Sequence, residues 1–408
     1  MRGTLRRLGS VAVLGTALVT GLTPAAQAAP ALSPVALQDS LNKLHEAGMP
    51  AVYAEVRDGT RSWRGAAGVA DVDTKQPAKP DFRHRIGSVT KAMVSTAVLQ
   101  QVARKKVALD APIGDYLPTD VPGKLGREVT VRMLLNHTSG IADHISTIFK
   151  KNEDLEANRF RTFDVATMIR DALALPPTGA PGERFSYSNT NYLLAGRLLT
   201  KVTGRDFREY VTREVLVPAG MKHTYFPGAD PTIRGPHAKA YEELYGAFVP
   251  PKDFSVYKMT WADAAGEIVA PVADVNSFYR ALLGGRLLPA AQLAEMKRTV
   301  PMLGPGGVKI GEYGLGVTAY DLPCGRFWGH DGAVWGMGTF TASTVDGKRQ
   351  LAVGTNLMKY QRIAPDGSLQ PHPKIDPAFL KVIQTATCGT GATTATAAAG
   401  FPNLRLNG

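Results

Sequence analysis

Strand-like runs stand at both ends of this chain and are almost missing from its middle. That order restricts the fold more than any other feature of the sequence. Near the start, "AVYAEVRDGT" and "RSWRGAAGVADV" flank the turn signal Asp58-Gly59. From about residue 305 strand character returns in "YGLGVTAYDL", "RFWGHDGAVWG", "GTFTASTV" and "RQLAVGTNLM", the last two flanking Asp346-Gly347. Between them, "PIGDYLP", "LPPTGAPGE" and "VPAGM" punctuate a stretch of helices and loops. A helix over 35–47 with Leu37, Leu41 and Leu44 on one face precedes the first strands, and "DPAFLKVIQTAT" closes the series. Strands from both termini must share one layer, so the expected class is α+β, with the layer drawn from 29–95 and 300–390 and a mainly helical insertion over 96–299.

The first 28 residues read as a secretory signal: Arg2, Arg6 and Arg7, an apolar run from Val11 to Leu22, and Ala26-Gln27-Ala28 as the cleavage site. Export to the extracellular side is therefore expected, and no later run is long and apolar enough to span a membrane. The tail over 391–408 is small, polar and low in complexity, and flexibility is expected there. Two cysteines, Cys324 and Cys388, are expected to pair in an exported protein. The formal charge is +12, or +9 without the three arginines of the signal. This favours attraction to an anionic cell wall. The basic residues are scattered without aromatic interleaving, which excludes sequence-reading of nucleic acid. A monomer is expected.

Ser88 in "RHRIGSVTKAM" stands three positions before Lys91. On a helix these side chains share a face, so Lys91 with a lowered pKa could take the serine proton near a helix N-terminus that favours an oxyanion. The same spacing recurs at Ser40/Lys43 and Ser255/Lys258, so the pair alone means little. "RFSYSNTNY" supplies Tyr187 and Asn189, two apart and able to face one cleft, the first as tyrosinate or as a phenol sharing a proton with Lys91, the second as an amide ligand. "WGHDGAVWG" supplies His330, Asp331 and Gly332 on a strand, with the Ala333 amide as an oxyanion donor and His330 tuning the Tyr187 proton. The three pieces follow in order at separations of 99 (187 − 88) and 143 (330 − 187) residues, which neither decoy matches.

This order resembles the serine penicillin-recognising hydrolases: soluble D-alanyl-D-alanine carboxypeptidases, class C β-lactamases and related esterases. It is most similar to exported carboxypeptidases with a histidine in the third motif. "VTVRMLLNHTSGI", "PGERFSYSNTNYLLAGRLL", "AAGEIVAPVADVNSFYRALL", "YGLG" and the Cys324/Cys388 pair extend the resemblance over most of the chain. It implies an antiparallel sheet flanked by helices, a covalent acyl-enzyme at Ser88, and a peptide, amide or ester substrate. It implies Lys91, Tyr187 and His330 as catalytic partners, Asn189 and Trp261 as substrate contacts, the Ser88 and Ala333 amides as the oxyanion hole, and no metal or cofactor.

The chain departs from that pattern where such carboxypeptidases hold a terminal carboxylate. Asp331 and Ala333 replace the usual hydroxyl side chains, and Thr318 falls where an arginine is expected, with Arg326 as a distant substitute. A carboxylate brought beside Asp331 would be repelled. Weakened recognition of a terminal carboxylate is therefore expected, leaving esterase or amidase activity level with peptidase activity, and a penicillin-binding sensor as the non-enzymatic alternative. No G-x-S-x-G elbow and no H-E-x-x-H cluster occurs. His137 and Ser139 in "LLNHTSGI" read as a structural turn after a helix.

Overall fold

The computed structural model describes residues 31–390; the signal expected over 1–28 and the flexible tail expected over 391–408 lie outside the described residues. The nine strands of the main sheet are β1 (Ala51–Asp58), β2 (Arg61–Gly68), β3 (Val300–Leu303), β4 (Lys309–Tyr313), β5 (Thr318–Leu322), β6 (Gly325–Gly329), β7 (Asp331–Val334), β8 (Met337–Thr344) and β9 (Arg349–Thr355). They lie in the order β2-β1-β9-β8-β6-β5-β4-β3, each neighbouring pair antiparallel, and β7 pairs with β8 alone. The first strand from one end of the chain thus pairs with the last from the other, Val52 opposite Thr355. Both turn signals close hairpins. Gly59 and Gly347 take φ of 60° and 67°, a region open to glycine without steric cost.

The helices that matter for the site are α1 (Pro34–Glu46), α2 (Thr90–Ala103), α3 (Val131–Leu135), α4 (Thr190–Thr203), α5 (Phe207–Val211), α6 (Val272–Leu283) and α7 (Ile375–Cys388). Period-two alternation divides β1 between two cores: Val52, Ala54 and Val56 face α1 and α7, whereas Tyr53 faces the α2 side. Leu37, Leu41 and Leu44 are buried in the first core, each contributing about 1.5–3 kcal/mol by burial. The disulfide Cys324–Cys388 ties the β5–β6 turn to the end of α7, with Cα atoms 5.3 Å apart.

Helices on the sheet reach into the 96–299 stretch. α2 runs through residue 95 without a break, and α6 lies on the sheet, where Asn276 Nδ2 donates to the Glu55 carbonyl of β1 and Gln350 Nε2 of β9 donates to the Asn276 carbonyl. Two strand-like runs are interrupted. "YGLG" leaves the sheet after Tyr313, and His330 separates β6 from β7. At His330 the sheet splits: β5 pairs with β6 no further than Gly329, and β7 continues with β8 as its one neighbour.

Candidate active site

Ser88 lies in a 3-10 turn (Gly87–Val89) that leads directly into α2, and Lys91 sits in the first turn of that helix. Lys91 is completely buried, and its Nζ lies 2.9 Å from Ser88 Oγ, 2.7 Å from Asn189 Oδ1 and 2.8 Å from the Ala265 carbonyl. Desolvation pushes its pKa down to about 7, against the opposing pull of Asp143 and Asp331. As a neutral amine it keeps two N–H bonds. The two carbonyl oxygens accept both, and the lone pair is left for the Ser88 hydroxyl. The decoy pairs do not meet. Ser40 Oγ donates to Leu37 O while Lys43 pairs with Asp39 in solvent. Ser255 bonds to Asp253, and Lys258 donates to Thr162.

Tyr187 and Asn189 come from the loop that enters α4. The Tyr187 hydroxyl donates to Ser88 Oγ at 2.7 Å. Burial raises its pKa well above the ordinary tyrosine value, so of the two expected forms, tyrosinate or phenol, the resting group is the phenol. Asn189 depends on a residue that sequence reading missed. Asp143 Oδ2 accepts from both the backbone N–H (3.0 Å) and the side-chain Nδ2 (2.8 Å) of Asn189. With Nδ2 held there, the amide oxygen must face Lys91. The signal was present in "GIADHIS", but an aspartate after a turn gives no hint of its partner 46 residues on.

The third motif packs against the serine turn at backbone distance. A Cβ on Gly332 would stand 2.0 Å from the Ile86 carbonyl and 3.2 Å from the Ser88 nitrogen, and one on Gly87 (φ +55°) would stand 2.7 Å from the Ala333 nitrogen. Only two glycines allow the Ser88 and Ala333 amides to come this close. His330 differs from expectation. Its Nδ1 donates to the Asp331 carbonyl and its Nε2 accepts from the Tyr313 hydroxyl at 2.8 Å; it makes no hydrogen bond to Tyr187. Burial and the Lys91 charge lower its pKa to about 3, so it is a neutral anchor for the strand split. The physical reason is reach: Tyr313, at the end of β4, occupies the ring nitrogen that would have turned toward Tyr187.

Asp331 keeps a third of its side chain exposed (33%), and its one charged-type neighbour within 4 Å is the neutral His330 ring at 3.9 Å. Among the described residues no lysine or arginine forms an ion pair with it. Arg326 pairs with Glu312 and Asp321, and Thr318 is buried at the start of β5. Burial of the carboxyl raises its pKa. Trp261 is buried in an aromatic cluster, 5.4 Å from the Phe149 ring and 5.5 Å from Trp335, two residues beyond Ala333. The Ala265 carbonyl, also missed, sits in a turn whose two acidic residues are held by one guanidinium: Arg208 of α5 reaches Glu267 at 2.5 Å and also Asp263. A backbone oxygen carries no sequence signature.

Comparison with known proteins gives the same assembly a context. The Beta-lactamase family model matches residues 37–368. Esterase EstB of Burkholderia gladioli is 34% identical over 188 residues, 44% of this chain and 48% of that protein, so the aligned part spans about half of its length. The D-stereospecific amidohydrolase of a Streptomyces species superposes with a TM-score of 0.77 at 34% identity, covering 88% of this chain and 99% of that one. The D-amino acid amidase of Ochrobactrum anthropi SV3, at 23% identity and a TM-score of 0.73 over 86% of this chain and 97% of its own, shares the fold. With its α+β architecture, its serine–lysine–tyrosine cluster and a match over most of its length, the chain belongs to the Beta-lactamase family of serine hydrolases.

Proposed function

We propose that this protein is an exported hydrolase that forms an acyl-enzyme at Ser88, and that its substrates are D-configured amides, peptides or esters whose leaving group carries no carboxylate. The observation that carries the chemistry is the position of Ser88 Oγ between the Tyr187 hydroxyl and the Lys91 amine, at 2.7 and 2.9 Å. Neutral Lys91 takes the Ser88 proton as Oγ attacks the carbonyl carbon, and the new C–O bond places negative charge on the substrate oxygen. The Ser88 and Ala333 amides stabilise that charge. Tyr187 gives its proton to the departing nitrogen or oxygen as the bond to carbon breaks, and the Lys91 ammonium returns a proton to the phenolate. Water then repeats the sequence on the ester, which frees the acid and restores Ser88. Asn189, fixed by Asp143, holds both Lys91 and the substrate amide.

The leaving-group preference rests on Asp331, a carboxylate with no lysine or arginine ion-paired to it among the described residues, at the start of the strand that holds the Ala333 amide. The esterase and amidohydrolase named among the relatives support non-carboxylate substrates over a D-alanyl-D-alanine peptide. The test is to incubate purified protein with a p-nitrophenyl ester, a D-amino acid amide, a D-Ala-D-Ala peptide and benzylpenicillin, reading adducts on Ser88 by mass and turnover by steady-state assay. Turnover of ester and amide above the peptide is expected. An adduct with no turnover of any compound would replace the hydrolase with a sensor, and no adduct at Ser88 would end the proposal.

A further inference from the structure

The turn after α3 does more than change the direction of the chain. His137 is fully buried with φ of +59°, a left-handed conformation uncommon for residues other than glycine and asparagine. That strain is held in place by contacts converging on one neighbour. The His137 carbonyl accepts the Ser186 N–H at 2.8 Å, and its ring Nδ1 accepts the Ser188 N–H at 3.2 Å. Both amides flanking Tyr187 therefore end on this one residue. The His137 ring also lies against the Tyr187 ring, centroids 4.3 Å apart and tilted by 34°, with Phe185 and Tyr313 closing around it at 5.7 and 5.0 Å. The Asn191 amide donates to the same Nδ1 at 3.2 Å. With two donors on Nδ1 the ring proton must sit on Nε2, which is buried without a partner among the described residues. Protonating Nδ1 would set three N–H groups against one another.

We propose that His137 is the positioning residue for Tyr187: by gripping the backbone on both sides of the tyrosine and backing its ring, it keeps the phenol hydroxyl on Ser88 Oγ. This rests on the reading of Ser88 as nucleophile and Tyr187 as proton donor. His137 touches neither the substrate nor the reacting atoms. Its contribution is the placement of a hydroxyl, for which an error of about 1 Å costs on the order of 100-fold in rate.

The experiment compares acylation by a p-nitrophenyl ester in the full-length protein and in His137→Ala, His137→Asn, Tyr187→Phe and the two double variants that join each His137 change to Tyr187→Phe. Asparagine tolerates the left-handed backbone and offers Oδ1 where Nδ1 stood, so it keeps the grip on the Ser188 amide and loses the ring. His137→Ala should lower the acylation rate constant by about 100-fold with KM changed less than about threefold, and His137→Asn should recover most of that loss. On the Tyr187→Phe background, where no hydroxyl remains to be placed, both changes should cost little more. Unchanged acylation in folded His137→Ala would overturn the proposal, as would the full loss persisting on the Tyr187→Phe background. If His137→Ala does not fold, His137→Gly, which accepts the left-handed backbone and likewise lacks the Nδ1 acceptor and the ring, takes its place in both comparisons, alone and joined to Tyr187→Phe. A wild-type protein that is never acylated at Ser88 would instead remove the functional reading, and this inference with it.

Discussion

Replacing Gly332 by alanine tests the oxyanion assignment through a single methyl group. The added Cβ would lie 2.0 Å from the Ile86 carbonyl, whereas ordinary contact begins at 3.4 Å, so the two backbones must separate by about 1.4 Å (3.4 − 2.0). Neither obstacle is flexible: Ile86 O and Ser88 N are main-chain atoms at the mouth of α2, and Gly332 is fixed in the β7–β8 ladder opposite Thr339. The separation opens the space between the Ser88 and Ala333 amides, where the oxyanion must sit. Losing one well-placed donor costs about 100- to 1,000-fold in kcat, or roughly 2.7–4 kcal/mol of transition-state stabilisation. The Ser88–Lys91–Tyr187 contacts are made at the Ser88 side-chain hydroxyl, which the added methyl does not meet, and should persist. The assay is stopped-flow acylation by a p-nitrophenyl ester, with a thermal melt of the same sample to show that the variant is folded. An acylation rate within threefold of wild type in a folded variant would refute the assignment of these two amides.

Acylation should depend on neutral Lys91, whose pKa is lowered to about 7, so the rate should fall tenfold per pH unit below that value and level off above it; a pH–rate profile without that limb would remove Lys91 as the base. Asp331→Thr should raise kcat/KM for a D-Ala-D-Ala peptide, because a repelling carboxylate is exchanged for a hydroxyl, and should leave a neutral ester within a few-fold; no gain on the peptide counts against the leaving-group argument. Asp143→Ala frees the Asn189 amide to turn, so acylation should drop by about 10- to 100-fold, read in the same stopped-flow assay. Reducing Cys324–Cys388, which closes a loop of 64 residues, should cost about 4 kcal/mol and lower the melting temperature by about 5 °C, measured by calorimetry with and without reductant.

The parts of this molecule that were legible in the sequence are those whose physics is local. The Asp58-Gly59 and Asp346-Gly347 turns, the leucine stripe of α1 and the Ser88–Lys91 spacing all act within a few residues, and each appears where its pattern predicts. The order of the three motifs then separated Ser88 from the two decoys. What could not be read depends on packing across long separations. Asp143 gains its role only because α4 begins beside it, and the Ala265 carbonyl only because Arg208 holds the turn at both ends. His330 was given the wrong partner since nothing local says that Tyr313 ends β4 within reach of its ring. His137 was read as a turn residue and does occupy a turn; the added content is that both neighbours of Tyr187 hang from it.

The reactive group is assembled from four stretches of chain, around residues 88–91, 187–189, 265 and 331–333, brought in from the two ends of the polymer and its interior. In a chain still being threaded or only partly collapsed, the amine of Lys91 is hydrated, keeps an ordinary high pKa and cannot deprotonate a serine. Reactivity therefore switches on with the last packing steps rather than accumulating along the way. A nascent or partly folded copy is chemically silent, and the first covalent adduct it can form certifies that the whole molecule has reached its native arrangement.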